Sequence, residues 1–451
     1  MKDRITWLIF SCMGCWPAKV SGTILLSLFF VCSPINSAEL SLEQAIELAL
    51  DYNYSVRSAV YDSVAANENY HRAAAGRLPS LSLESRAYYV SDLTGMEIDL
   101  GFIDPIVREL GSQENYQADF RVTLPLFTGG KLSGGINAAL AQSRAAGYGL
   151  EAQRLAVAYR TRQAYLLLML ANTNVAIAQT SLKRLQIIKD DVTNLYVNGI
   201  ADSVDVLEAS LSLETGKLAL IEQETLKKNA EKSLQNLTGL KDNLHIKSEL
   251  PGNKNYTLAE NRTSAKILRP ELSRLQYVTE AAEQNARLAV GNYFPTLSAF
   301  GGYSVGKPNR DMFGADWDDY FSVGLSLSWA FDLGRDNAVA SARNHARSAI
   351  MLHHDLEEQL LLQAEQAGNK LKLTADAIEI SRRELDIAKR RFELATEKQK
   401  AGNLSVNRLL EMEAALTATD EQYHSSLIRY FLAETDLLYA LGSDNIFGGI
   451  Q

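Results

Sequence analysis

The sequence predicts a mainly α-helical chain with a small β part, built from two similar halves that each join a long helical hairpin to a short β-hairpin. Three observations carry this reading. The first is internal repetition, which ranks ahead of local pattern. Leu78-Pro79-Ser80, Pro125-Leu126-Phe127-Thr128-Gly129-Gly130 and a turn at Gly199 are answered by Phe294-Pro295-Thr296, Trp329-Ala330-Phe331-Asp332-Leu333-Gly334 and a turn at Gly402. The second is proline placement. Residues 126–250 and 309–451 contain no proline, whereas Pro79, Pro125 and Pro295 stand where helix would give way to strand, and Pro105 and Pro308 fall in loops. The third is alternation of apolar and polar residues over a few short segments, the period of a strand with one face buried.

Taken in chain order, the first 38 residues have the layout of a secretory signal peptide: Lys2, Arg4 and Lys19, an apolar run from Thr23 to Val31, and small residues ending Asn36-Ser37-Ala38. The apolar run is shorter than the ~20 residues of a spanning helix. Met13 followed by Lys19 is a more usual signal start than Met1. Cys12, Cys15 and Cys32 all lie inside this segment, so the mature chain is expected to lack disulfides and thiolate metal sites. Phe10, Met13 and Val31 crowd the positions where a lipoprotein signal needs small residues, and no lipid anchor is expected.

Residues 39–250 form the first repeat, with a β-hairpin over 80–127 and a helical hairpin whose tip falls at 199–205. A linker or equatorial region, 251–269, leads to the second repeat, 270–451, with a β-hairpin over 296–331 and a tip at 402–408. About 69 residues separate Gly130 from Gly199 and about 68 separate Gly334 from Gly402, which as helix at ~1.5 Å per residue is roughly 100 Å. Rods of that length predict an elongated, pseudo-twofold object. Within them the apolar positions step by three and four: Leu182, Leu185, Ile188, Val192 and Leu195, then Leu385, Ala388, Phe392 and Ala395. This is coiled-coil spacing. Alanines at 138, 139, 141, 145 and 146 let neighbouring helices approach closely. A plain helical bundle gives the same stripes. No later stretch reads as a transmembrane helix, since Tyr165 to Leu170 is too short.

The strands carry more information. Phe321, Val323, Leu325, Leu327 and Trp329 alternate with Ser322, Gly324, Ser326 and Ser328, and Phe120, Val122 and Leu124 alternate with Asp119, Arg121 and Thr123. Weaker strands are read at Leu81 to Arg86 and at Leu297 to Tyr303, with 91–115 as a long loop. That makes about four strands per chain, each near the 9–11 residues of a membrane-spanning strand. Four strands cannot close a barrel in a bilayer, because two open edges would leave backbone groups unpaired in hydrocarbon. Three copies would give 12 strands and two would give eight, and eight leave an interior filled by side chains. Two surface hairpins covering a soluble helical bundle are the other reading of the same alternation.

Charge and chemistry exclude several classes. A net charge of −9 without a basic run argues against a nucleic-acid partner. Gly130-Lys131-Leu132 fails as a phosphate loop, since Ser or Thr should follow the Lys. His353-His354 with Glu357 and Glu358 could set metal ligands on one helical face, but the His-Glu-x-x-His spacing is absent and a solvated face is the expectation. His71, His245, His345 and His424 are scattered and fit no nucleophile constellation. No enzyme, cofactor or metal is expected.

Several motifs, in order along the mature chain, resemble the TolC-type outer-membrane efflux protein family: Leu42-Glu43-Gln44-Ala45-Ile46-Glu47-Leu48-Ala49-Leu50, Gly76-Arg77-Leu78-Pro79-Ser80, Pro125-Leu126-Phe127 with Gly129-Gly130, Gly199 through Val206-Leu207-Glu208-Ala209, and Arg269-Pro270-Glu271-Leu272. The resemblance implies a homotrimer with a 12-stranded outer-membrane β-barrel continued by a periplasmic α-helical tunnel. It implies a passive exit duct for small molecules or proteins in a tripartite efflux or type I secretion system. Its partners would be outer-membrane lipid, a periplasmic adaptor (membrane fusion) protein and an inner-membrane pump of the RND, ABC or MFS type. A periplasmic coiled-coil adaptor or scaffold is the alternative, and it would need no lipid-facing strands.

The resemblance also implies a gate at the periplasmic end, with acidic residues six and nine positions after the second hairpin's Gly. Those positions are Arg408 and Glu411. Glu411 fits, Arg408 departs, and the first hairpin has Asp205 and Glu208 at the equivalent places. Arg408 is expected to pair with Asp205 or Glu208 and hold the tip closed, a solvated surface arginine being the alternative. Gly199 and Ile200, with Gly402 and Leu404, resemble the family's adaptor-docking tips. Glycine is required by a tight turn in any case.

Overall fold

A computed structural model describes residues 39–98, 101–102, 105–241, 244–247, 268–310 and 316–447. The expected signal segment with its three cysteines, and most of the linker expected at 251–269, lie outside the described residues. The elements in order are α1 (Leu42–Tyr52), α2 (Tyr54–Ala75), β1 (Ser80–Tyr89), β2 (Thr94–Ile98), β3 (Ile106–Leu110), β4 (Glu114–Phe127), α3 (Lys131–Val197), α4 (Ser203–Thr238), α5 (Pro270–Val290), β5 (Thr296–Lys307), β6 (Asp318–Ser328), α6 (Arg335–Lys400) and α7 (Val406–Leu441).

Local chemistry sets the boundaries. A capping box between Ser41 and Gln44 starts α1, and the Asn53 side chain accepts from the Ser55 N–H to start α2. Pro270 occupies the first turn of α5, where its missing N–H costs nothing. The two long helices, 67 and 66 residues, run without a break because the chain offers no proline to interrupt them. Close approach of α3 and α5 relies on small residues: a Cβ at Gly134 would lie 3.1 Å from the Leu288 backbone nitrogen, and Ala138, Ala141 and Ala145 are buried.

The main core forms where α1, the middle of α3, the end of α4 and α7 meet. Ile46, Leu166, Leu168, Leu234 and Ile446 are fully enclosed there. Tyr165 joins them and donates from its hydroxyl to the Leu40 carbonyl at 2.9 Å. Burial pushes its pKa up to about 12. Leu40 also forms a parallel bridge with Ile246, tying the start of the described chain to the segment that follows α4. A polar cluster lies nearby: the Tyr159 hydroxyl and Lys370 Nζ each donate to Asp436, both at 2.8 Å, joining α3, α6 and α7.

The sheet mixes the two halves. Its order is β1-β4-β5-β6, all antiparallel, so β4 of the first repeat pairs with β5 of the second. The sequence reading of 91–115 as a loop is corrected in part: β2 and β3 form a two-stranded ribbon there, and the Val90 N–H bonds the Gln113 carbonyl so that backbone pairing carries on past β1 and β4.

Candidate functional site

Three places in the fold bear on function: the sheet, the two helical tips and the contact between the hairpins above the tips. In the sheet, register puts Leu81 opposite Val122, Leu83 opposite Phe120, Phe120 opposite Tyr303 and Tyr303 opposite Phe321. Because side chains alternate across a strand, these residues share one face with Val323, Leu325 and Leu327. Nothing in the described chain covers it: Phe321 and Val323 are each 78% exposed. The opposite face carries Glu84, Arg86, Asp119 and Arg121 among serines and glycines, and Arg86 pairs with Glu84. Where strand meets helix, Phe127, Phe294, Trp329 and Phe331 are exposed, and Arg335 lies 4.2 Å over the Phe331 ring. Aromatic residues at this level match the belt that flanks the apolar band of a membrane barrel. Strands β1 and β6 are both unpaired edges.

The tips are built alike. Gly199 and Gly402 adopt left-handed φ of 72° and 73°, where any side chain would be strained. Each closes a Schellman motif: Gly199 N–H to Tyr196 O with Ile200 N–H to Leu195 O, and Gly402 N–H to Gln399 O with Asn403 N–H to Lys398 O. The helices then restart on caps. Asp205 accepts from the Asp202 N–H at 3.3 Å, and Ser405 Oγ accepts from the Arg408 N–H at 3.4 Å. The two candidate docking side chains differ. Ile200 is 71% exposed, whereas Leu404 packs partly into the cluster of Leu185, Ile188, Val192, Leu409 and Leu410 behind the tips.

The expected latch is not what the chain forms. Arg408 pairs with Glu411, one turn along its own helix, rather than with Asp205 or Glu208. The i, i+3 partner lies on the same helical face and is reached without bridging two helices. A cross-hairpin tie lies farther from the tip, at Glu413, which sequence reasoning missed. This buried carboxylate accepts from Ser181 Oγ at 2.8 Å, from Arg184 Nη2 at 3.0 Å and from Thr417 Oγ1 at 2.9 Å, joining α3 to α7. Arg184 also lies 5.9 Å from the Phe392 ring centre on α6. The signal was present in the sequence: Glu413 interrupts a stripe of Val406, Leu409, Leu410 and Leu416, all buried, and an acid in a core stripe demands partners.

No helix among the described residues is long and apolar enough to cross a membrane. The structure is similar to that of CusC, a protein studied for the conformational changes that accompany its folding and transmembrane channel formation; identity is 18%, coverage is 89% of this chain and 92% of that one, and the TM-score is 0.77. It is similar to the outer membrane protein VceC of Vibrio cholerae at 18% identity, 89% and 96% coverage and a TM-score of 0.74. A third likeness is to the open state of the Neisseria gonorrhoeae MtrE outer membrane channel, at 18% identity, 89% coverage of both chains and a TM-score of 0.70. Among curated sequences, an uncharacterized protein of Haemophilus influenzae is 22% identical over 188 residues, 41% of this chain and 41% of that protein. The family model described as "Outer membrane efflux protein" matches residues 45–240 and 262–443. These two segments take in both helical hairpins and all six strands, and the chain belongs to the outer membrane efflux protein family.

Proposed function

We propose that the protein is the outer-membrane exit duct of a tripartite efflux or secretion assembly, passive in itself and built as a homotrimer. One observation carries this reading: a four-stranded sheet with two open edges, one apolar face and one polar face, set at the ends of helices roughly 100 Å long. In a bilayer both edges must be paired, and three copies supply 12 strands, within the range of bacterial barrels. The apolar face meets lipid and the polar face lines the lumen. An adaptor or scaffold has no use for such a sheet.

The helices support the same assembly. Within the chain α3 packs on α4 and on α7, α7 on α6, and α5 on α6, with a smaller contact between α4 and α7, so that α4 and α6 flank the α3–α7 pair. Each presents an unpartnered apolar seam. On α4 it is Val204, Leu211 and Leu218 and on α6 it is Leu394, Ile387 and Ile380, every one more than half exposed. Both climb in steps of seven away from the tip glycines, and each α6 member stands about three residues, ~4.5 Å, farther from its tip than its α4 counterpart. Seven-residue spacing is that of a coiled-coil seam. The α6 of a neighbouring copy therefore fits against α4, closing a tunnel.

At its narrow end Asp205, Glu208, Arg408 and Glu411 form the gate, and Gly199, Ile200, Gly402 and Leu404 the surface that receives a periplasmic adaptor linked to an inner-membrane pump. The two repeats, 39–250 and 270–451, are the units of the design, each contributing one hairpin to wall and tunnel. The test is the mass of the detergent-extracted mature protein, followed by planar-bilayer conductance. A conducting trimer is expected; a water-soluble monomer or dimer without conductance would overturn the reading.

A further inference from the structure

A cluster in the N-terminal half of α6 has a separate chemistry. His353, His354 and Glu357 bring one imidazole nitrogen each and a carboxylate oxygen within 4.8 Å of one another, with His354 Nδ1 3.7 Å from the Glu357 carboxylate. In a tetrahedral site with ~2.0–2.2 Å bonds neighbouring ligand atoms stand closer than this, so binding an ion would draw the three side chains together. His353 and Glu357 are spaced i, i+4, the separation at which a helix turns two ligands to one side. The backbone beneath them belongs to an unbroken 66-residue helix, so its geometry is already set.

The second observation comes from across the groove. A cleft between α5 and α6 is lined by Gln276, Glu280 and Glu283 on one side and by Ile350 and His353 on the other. The His353 side chain therefore belongs both to the three-residue cluster and to a cleft that holds two further carboxylates. Neither acid takes part in an ion pair among the described residues. Two imidazoles with carboxylates form a donor set suited to a borderline divalent ion such as Zn²⁺, Ni²⁺ or Cu²⁺, and poorly suited to Mg²⁺, which prefers an all-oxygen octahedron.

We infer that His353, His354 and Glu357 form a divalent transition-metal site, completed across the cleft by Glu280 or Glu283, so that the bound cation clips α5 to α6. The site lies on a solvated helix face, with the His354 and Glu357 side chains 62% and 52% exposed. It does not depend on whether the chain conducts, because binding is read on the extracted protein directly.

The test is calorimetric titration of ZnCl₂ into the detergent-extracted mature protein carrying no polyhistidine tag. One Zn²⁺ per chain is expected, with a rise in thermal midpoint as the ion fills the site. H353A/H354A is expected to abolish the binding while leaving the oligomeric mass and helical circular dichroism unchanged, and H353Q/H354Q, which keeps polar side chains of similar size on the helix, is expected to do the same. E280Q/E283Q, which keeps both rings, is expected to weaken Zn²⁺ binding by about tenfold or more. Absence of stoichiometric binding, or unchanged binding in H353A/H354A, would overturn the site. Unchanged affinity in E280Q/E283Q would overturn the clip.

Discussion

Arg408 and Glu413 lie five residues apart on α7 and differ in what surrounds them. Arg408 is half exposed and bonded to a half-exposed Glu411; such an i, i+3 pair contributes about 0.2–0.5 kcal/mol. Glu413 is 3% exposed and serves three donors, so removing its charge leaves the Arg184 guanidinium with Thr417 Oγ1 as its remaining hydrogen-bond partner among the described residues and costs on the order of 1–3 kcal/mol. Glu413→Gln should therefore lower the thermal midpoint of the extracted protein clearly, whereas Arg408→Ala should leave it nearly unchanged. The effect of Arg408→Ala belongs to permeation instead. If the proposed trimer places Arg408 at its mouth, losing a positive charge from every copy should shift the reversal potential in a salt gradient toward cation selectivity, and an unchanged reversal potential would remove Arg408 from the proposed gate. The turns at Gly199 and Gly402 were legible from their glycines, because a left-handed turn admits little else. Arg408's partner was misjudged because spacing along a helix says who is near in the same helix, while the expected cross-hairpin pair required knowledge of how the two hairpins face each other.

At the scale of elements, the alternation in Phe321 to Ser328 and the proline-free spans located strands and rods, since period two and period 3.6 leave distinct marks. The ribbon β2–β3 was not legible: Thr94–Ile98 is only five residues, and its stability comes from pairing with Ile106–Leu110 and from continuity with the longer β1–β4 ladder, which no local pattern announces. The interhelical order was equally hidden. Leu373, Ile380 and Ile387 have the spacing of a core stripe, yet Leu373 is 69% exposed and Ile380 and Ile387 are each 59% exposed, as a seam awaiting a second copy would be. This gives a direct prediction. Leu211→Cys together with Ile387→Cys, in a chain whose other cysteines are Cys12, Cys15 and Cys32, each replaced by serine, should yield disulfide-linked dimers and trimers on mild oxidation in non-reducing gels. Either single variant should give no ladder beyond dimer. A double variant that stays monomeric would show that α4 and α6 do not meet between copies at this height.

For the molecule as a whole, the decisive property is that one sheet is asked to satisfy two environments. Leu325 and Ser326 are sequence neighbours on β6, equally placed along the strand, and the pleat sends them to opposite faces. In a membrane barrel a cation on the lipid face costs about 2–4 kcal/mol near the bilayer midplane, whereas the lumen is aqueous and tolerates it. Leu325→Arg should accordingly deplete the trimer in outer-membrane fractions and abolish its heat-modifiable migration, while Ser326→Arg should assemble normally and alter conductance. A soluble bundle covered by surface hairpins makes the opposite forecast. There Leu325 is an exposed apolar residue at 68%, and replacing it by arginine would leave assembly intact and improve solubility. The four strands of one chain fit either account on pattern alone, and only the closed barrel makes adjacent residues respond so differently to the same charge.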